Sequence, residues 1–157
     1  TKGRIWDETE KNRLQLTQIG WQSAKIHYTA TMLNTVCVKI IYPGEFATDV
    51  FFTYDNQPTD LDVLERIFAE WNHGSGAECE KLIKSNCRSL SVHDIVVVNG
   101  QYYQCKSIGW EPVTEEFVIQ LQRDVKNHIN YNQSAWYALD CVMWERNKKL
   151  VGSLTRQ

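Results

Sequence analysis

The feature that most constrains the fold is the dipeptide Asn99-Gly100, which lies between two β-favouring runs. The run from Ile95 to Val98 is β-branched throughout, and the run from Gln101 to Cys105 contains two tyrosines. Asn-Gly in this setting predicts a type I′ turn, because both turn residues must accept a positive φ. The sequence therefore predicts an antiparallel hairpin with strands at 94–98 and 101–105. Gly109 predicts a bend after its second strand.

Further elements follow from periodicity and from turn residues. Two more strands, Thr35–Tyr42 and Ala47–Tyr54, flank the turn dipeptide Pro43-Gly44 and predict another hairpin. Helices are predicted from Thr59 or Asp60 to about Asn72, from Ser75 (with Glu78 completing a capping box) to about Ser85, from Thr114 to about His128, and from Ser134 to about Lys148. The predicted class is α+β, in the order β-β-α-α-β-β-α-α, with an antiparallel sheet of two hairpins packed against two helix pairs.

The length and composition are those of one globular domain. The chain has 157 residues, of which 43% are hydrophobic and 23% are charged. We expect an N-terminal arm at 1–24, a domain at 25–150 and a tail at 151–157. No apolar run approaches the roughly 20 residues that a membrane span needs, and no secretory pattern opens the sequence. Five cysteines without a C-x-x-C pair fit a reducing compartment, so we expect a cytoplasmic protein.

The hairpin region also carries a family resemblance. Ser89-Leu90-Ser91-Val92 with Asp94, followed by Tyr103, Cys105 and Ile108-Gly109-Trp110, resembles the YodL-like domains of conjugative elements, plasmids and phages. Trp110 stands where Phe is commoner in that family, and His93 where a small or polar residue is usual. The resemblance implies a mobile-element habitat and no particular reaction. It suggests a non-catalytic interaction protein, such as an inhibitor of a host defence system.

The negative charge of the chain is concentrated in one segment. Residues Glu45–Glu80 contain nine acids and one base, whereas the net charge of the whole chain is -2. Such a segment can attract a host protein with a basic surface, although a solvated face that serves solubility is the alternative interpretation. Because the apolar side of the predicted helix is committed to the core, we predict that its acids face a partner. These acids are Asp60, Asp62, Glu65 and Glu70.

The alternative function is nucleic-acid binding. Tyr102 and Trp110 on the hairpin could stack bases, so both are also predicted as partner-binding residues. No basic stripe accompanies them, and the pI of about 6.1 is low for a nucleic-acid-binding domain. The oligomeric state and the identity of the partner are left open by the sequence.

Residue types with catalytic or metal-binding capacity occur around the second predicted helix. His73, Cys79, Cys87 and His93 are zinc-ligand types, but they lack a short chelating pair, so no metal or cofactor is predicted. Cys79 at a helix start could act as a nucleophile, but the adjacent Glu78 and Glu80 oppose a thiolate. Gly74-Ser75-Gly76 could cradle an anion, but no lysine follows it as in a P-loop. We therefore predict no enzymatic activity.

Overall fold

The computed structural model describes residues 34–129 and 133–155. In this part of the chain five strands form one antiparallel sheet in the order β2-β1-β3-β4-β5. The strands are β1 (Thr35–Tyr42), β2 (Phe46–Thr53), β3 (Ile95–Val98), β4 (Gln101–Cys105) and β5 (Trp110–Val113). The helices are α1 (Asp60–Glu70), α2 (Glu80–Lys84), α3 (Glu115–His128) and α4 (Ala135–Thr155). The predicted α+β class is confirmed, while the observed order, β-β-α-α-β-β-β-α-α, contains one more strand than predicted.

By its internal contacts the chain divides into two units. One consists of Thr1–Thr35 and Thr53–Gln57, and the other of Val36–Phe52 and Pro58–Gln157. In the described part of the first unit, the Tyr54 N–H donates to the Asn34 carbonyl at 3.0 Å. The predicted arm at 1–24 lies outside the described residues. All sites considered below belong to the second unit.

The central hairpin has the predicted turn. Asn99 has a φ of 50° and Gly100 a φ of 80°, and Val98 pairs with Gln101 across the turn. Asp94 precedes the strand by one residue, and its carbonyl accepts a hydrogen bond from the Cys105 N–H at 2.9 Å. These observations confirm the predicted hairpin. It could be predicted because the turn depends on local residues and not on the rest of the chain.

The layout of two hairpins is wrong in one respect, because β5 continues the sheet beyond β4. Gly109, at a φ of 74°, allows a tight turn in which the Lys106 N–H donates to the Gly109 carbonyl at 3.0 Å. Cys105 then pairs with Trp110, and Tyr103 pairs with Pro112. Proline argues against a strand in the middle of a sheet, but β5 is an edge strand and tolerates it.

The second predicted helix start is also wrong. Residues 72–79 form a loop, and α2 begins only at Glu80. The Ser75 hydroxyl donates to the Ala69 carbonyl at 2.5 Å, and the Glu78 carboxylate accepts from the Gly74 N–H at 2.7 Å, so neither residue caps a helix. Gly74 and Gly76 have φ values of 90° and 85°, which a right-handed helix does not accommodate.

The last helix is longer than predicted. The Ser134 hydroxyl accepts from the Tyr137 N–H at 3.2 Å, as expected of a cap, but α4 continues past Lys148 to Thr155. Gly152 therefore does not end the helix. A glycine inside a helix lowers the stability by only about 1 kcal/mol relative to alanine, so a helix can continue through it.

The sheet has a different helix layer on each face. A core of Ile41 and Ile95 with α3 and α4 residues such as Leu121 and Leu139 lies on one face, where Val97 and Tyr102 also pack. On the other face α1 approaches β3, and the Tyr103 hydroxyl donates to the Asp60 carboxylate. Because side chains alternate along a strand, Tyr102 faces α3 and α4, whereas Tyr103 and Cys105 face α1.

Candidate partner-binding cleft

Two of the acids predicted to face a partner have partners within the domain. The Asp60 carboxylate accepts hydrogen bonds from the Tyr103 hydroxyl at 2.5 Å and from the Asn99 amide at 3.3 Å. The Asp62 carboxylate accepts from the Thr59 N–H at 3.1 Å, while the Thr59 hydroxyl accepts from the Asp62 N–H at 3.1 Å. This reciprocal pair is a capping box at the start of α1. Both carboxylates therefore have structural roles.

The other two acids of α1 differ from each other. The Glu70 carboxylate accepts from the Arg66 Nε at 2.8 Å, and the Arg66 guanidinium lies 4.0 Å from the centroid of the Phe52 ring. Glu65 is exposed, and in the described part of the chain its side chain has no hydrogen bond or ion pair. Of the four acids, Glu65 is thus the one whose carboxylate has neither a hydrogen bond nor an ion pair with the described residues.

Much of the remaining acidic segment is neutralised by cations from outside it. Lys39 pairs with Asp49 at 3.1 Å, Lys84 with Glu80 at 2.8 Å and Arg88 with Glu45 at 3.0 Å. The net charge of the segment in the sequence therefore overstates the field that a partner would meet.

The loop before α2 resembles an anion cradle, but an internal anion occupies it. The Glu78 carboxylate lies among backbone N–H groups, and hydrogen bonds from its own N–H and from Gly74 lower its pKa. An external phosphate would meet this carboxylate, so the loop serves the fold.

Tyr102 and Trp110 do not form one platform, because they lie on opposite faces of the sheet. Tyr102 packs against the α3–α4 core, and its hydroxyl lies 3.4 Å from the Glu115 carboxylate. Burial and Glu115 raise the pKa of Tyr102, and the hydrogen bond to Asp60 raises that of Tyr103 to about 12. Trp110 pairs with Cys105 and faces α1. Bases could therefore not stack on Tyr102 and Trp110 together.

Trp110 belongs instead to a cleft between α1 and the β4–β5 turn, which we call the α1 cleft. Its volume is about 310 Å³, and it opens to solvent. It is lined by Glu65, Phe68 and Ala69 of α1 and by Cys105, Lys106, Ser107, Gly109 and Trp110. The rings of Phe68 and Trp110 meet edge to face with centroids 6.4 Å apart, a favourable arrangement for an aromatic pair. Two of the predicted residues, Glu65 and Trp110, are thus brought together.

The groups that line the α1 cleft differ in polarity and in charge. Cys105 is buried, and this burial raises its pKa to about 11, so the thiol is protonated at neutral pH and acts as an apolar wall. Lys106 is paired with Glu111 at 3.0 Å, whereas Glu65 brings an unpaired negative charge to the rim. Ile108 at the tip of the adjacent turn is 93% exposed. The cleft therefore combines an apolar interior with a negative edge.

The sequence predicted that the whole apolar side of α1 is committed to the core, but Phe68 on that side lines the α1 cleft. The side chain of Phe68 is 42% exposed and that of Leu61 57% exposed, while Leu64, Ile67 and Trp71 are buried. Together with Val63, which is also buried, these apolar residues span about 160° around the helix, wider than the roughly 100° of a single buried stripe. That excess width was a signal in the sequence for a second apolar surface.

The histidines and cysteines considered for zinc do not converge. The His73 Nε2 lies 2.7 Å from the Cys87 carbonyl, and the His93 Nε2 lies 3.7 Å from the Asp140 carboxylate. Over residues 34–129 and 133–155, no three His, Cys, Asp or Glu side chains are grouped as metal ligands.

A buried ion pair explains the residues before the central hairpin. Asp94 is fully buried and receives two 2.8 Å hydrogen bonds from the Arg88 guanidinium and a third from the Ser91 N–H. The guanidinium also lies 4.6 Å from the centroid of the Tyr42 ring. The Ser89 hydroxyl accepts from the His73 N–H at 2.9 Å. These residues fasten the loop to β1 and thus have structural roles.

Comparisons with known proteins add no assignment: no family model matches the chain, and searches of curated proteins and of solved structures find no significant similarity. Among the described residues, no helix is sufficiently long and apolar to cross a membrane.

Proposed function

We propose that this chain is a non-catalytic protein-interaction domain, and that it binds a basic segment of a partner by taking an apolar side chain into the α1 cleft. The observation that carries this proposal is the contact of the exposed Phe68 with the half-buried Trp110, beside the unpaired carboxylate of Glu65. A large apolar side chain fills an open cleft of this size, and a neighbouring lysine or arginine meets Glu65.

The energetics favour an anchor of this kind. Tryptophan and arginine are enriched among the residues that dominate binding at protein interfaces. Burial of apolar surface contributes about 25 cal/mol per Å², so covering the exposed parts of Phe68, Trp110 and Ile108 supplies several kcal/mol before the costs of association. The charge of Glu65 adds selection for basic segments rather than most of the affinity.

The resemblance to YodL-like domains suggests where such a partner occurs. Proteins of conjugative elements, plasmids and phages act inside a host, and many host defence complexes carry basic surfaces for nucleic acid. Inhibition of such a complex is the biological role that we propose for the domain. The proposed binding mode does not depend on that role.

Defined peptides test the binding mode. Two nonapeptides with a central tryptophan, one flanked by lysines and one by glutamates, are titrated into ¹⁵N-labelled protein. The lysine peptide should shift the amide signals of Phe68, Ile108 and Trp110 and bind at least tenfold more tightly than the glutamate peptide. Glu65→Lys should weaken the lysine peptide about fivefold to tenfold, as expected for the loss of about 1 kcal/mol from one rim charge.

The matched control is Glu116→Lys, which reverses an exposed charge at the start of α3 and should leave peptide binding unchanged. Trp110→Ala should remove the shifts altogether. Equal binding of both peptides would refute the charge argument, and shifts confined to residues outside the α1 cleft would refute the cleft as the site.

A further inference from the structure

The outward side of α4 is unusually aromatic. Trp136 is 47% exposed, Tyr137 51% and Trp144 59%, although the opposite side of the helix is buried in the core through Ala138, Leu139, Val142 and Met143. Large aromatic side chains are the residues that interfaces favour. The outward side of α4 is therefore a surface without a partner within the described residues.

The charges on this surface are arranged symmetrically about its most exposed tryptophan. Asp140 lies four residues before Trp144, and Lys148 lies four residues after it. With Trp136 these residues form a row of side chains spaced by four, which is one of the ridges of a helix surface. When a second copy of this row runs in the opposite direction with the two Trp144 residues aligned, each Asp140 therefore lies opposite a Lys148.

Among the described residues, neither charge is fully neutralised. The His93 ring lies 3.7 Å from the Asp140 carboxylate, but burial lowers the pKa of His93, so the ring is neutral at neutral pH. The Lys148 ammonium lies 5.0 Å from the centroid of the Trp144 ring and has no carboxylate partner in the described part of the chain. Both charges are available to a neighbouring molecule.

We propose that α4 pairs with α4 of a second copy in an antiparallel arrangement, with Trp144 beside its own equivalent and Asp140 beside Lys148 of the second copy. A two-fold axis generates both ion pairs at once, because an isologous interface repeats each contact.

The expected geometry follows from the spacing of the row. Rows spaced by four residues lie alongside each other when two helices cross at about -50°, the commonest class of helix packing. The aromatic side chains bury about 150–250 Å² each when fully covered, and here about half of each is exposed. The area per copy is thus below the roughly 800 Å² of a standard interface, so we expect a weak dimer that dissociates on dilution.

Charge reversal tests the pairing directly. Sedimentation velocity at 1 to 200 μM should show a monomer–dimer equilibrium for the unmodified chain. Asp140→Lys and Lys148→Asp should each weaken association at least tenfold, and the double variant should recover to within about threefold of the unmodified chain. A mixture of the two single variants should associate more tightly than either alone, because only the mixed pair places acid against base.

The controls separate this proposal from loss of fold and from the α1 cleft. Circular dichroism should report an unchanged melting curve for each variant, and Glu116→Lys, which changes a charge outside α4, should leave association unchanged. A chain that stays monomeric at 200 μM would overturn the proposal. The proposal would also be overturned if neither the double variant nor the mixture regained self-association. The aromatic surface would then belong to an interface with another protein or with a lipid surface.

Discussion

Replacement of Arg88 by methionine should cost more stability than any other single loss of an ion pair in the described structure. The substitution removes both 2.8 Å hydrogen bonds to Asp94 and the guanidinium over the Tyr42 ring, while the aliphatic part of the side chain is kept. Asp94 is fully buried, so its carboxylate would retain the Ser91 N–H but would lose its counter-charge.

The expected magnitude follows from the geometry. Removal of one member of a buried pair costs about 3–5 kcal/mol, because the charge that remains is desolvated without compensation. A hydrogen bond to a charged group contributes about 1.5–3 kcal/mol, so two of them give about 3–6 kcal/mol, which agrees with that estimate. For a domain whose total stability is about 5–15 kcal/mol, the loss is a large fraction.

The pH dependence gives the prediction a distinctive sign. Burial already raises the pKa of Asp94, and Arg88 opposes that rise, so removal of Arg88 should raise the pKa further. A carboxyl group whose pKa is raised in the folded state contributes stability that is complete below its ordinary value of about 4 and is lost as the pH rises through the folded value. The deficit of the Arg88→Met variant should therefore be small at pH 4 and about 3–5 kcal/mol at pH 7.

Urea unfolding at both pH values measures this deficit, provided that the slope m is unchanged. The matched control is Arg146→Met, which breaks the 2.7 Å pair with Asp124 at a more exposed site and should cost under about 1 kcal/mol. A deficit for Arg88→Met that is equal at pH 4 and pH 7, or no larger than that of the control, would refute the reasoning.

Two glycines give further predictions. At Gly44 the φ is +77°, and an added Cβ would lie 2.5 Å from the Val125 Cγ1. Gly44→Ala should therefore lower the free energy of unfolding by about 2–4 kcal/mol in urea titrations. A loss under about 1 kcal/mol would contradict this close approach. At Gly100 no atom lies near an added Cβ, so only the φ of +80° opposes substitution. Gly100→Val should therefore lower the stability by about 1 kcal/mol or more, and Gly100→Asn by less, in thermal melting. Equal melting temperatures for the two variants would argue against the turn.

Features set by local chemistry could be predicted from the sequence. The Asn99-Gly100 turn needs positive φ at two adjacent residues, and few sequences provide it. The start of α3 at Thr114, where the hydroxyl accepts from the Phe117 N–H at 3.0 Å, likewise depends on neighbours within one turn. The face of α1 that carries Leu64 and Ile67 follows from the helical period.

Features set by distant partners could not be predicted. The Asp60 carboxylate is held by Tyr103, 43 residues away, and Glu45 by Arg88, also 43 residues away. Helical periodicity and turn residues predict that such acids are exposed and free, because they contain no information on which distant residue lies opposite. The opposite orientations of Tyr102 and Trp110 likewise depend on the register of β4 with β5. Strand β5 was not predicted, because Pro112 argues against a strand.

These internal partners change what the acidic segment can do for binding. A field of many uncompensated carboxylates would imitate nucleic acid, and association with a basic groove would then weaken steeply with salt. Here Asp49, Asp60, Asp62 and Glu70 are engaged within the domain, and Glu65 is left beside an aromatic cleft. An apolar anchor with one exposed ion pair, which contributes at most about 1 kcal/mol and is screened by salt, should lose no more than about fivefold in affinity between 50 mM and 500 mM NaCl. Binding of the lysine-flanked peptide at these two salt concentrations measures that loss. A fall of several hundredfold would restore the extended acidic surface as the recognition element, because a single carboxylate cannot produce it.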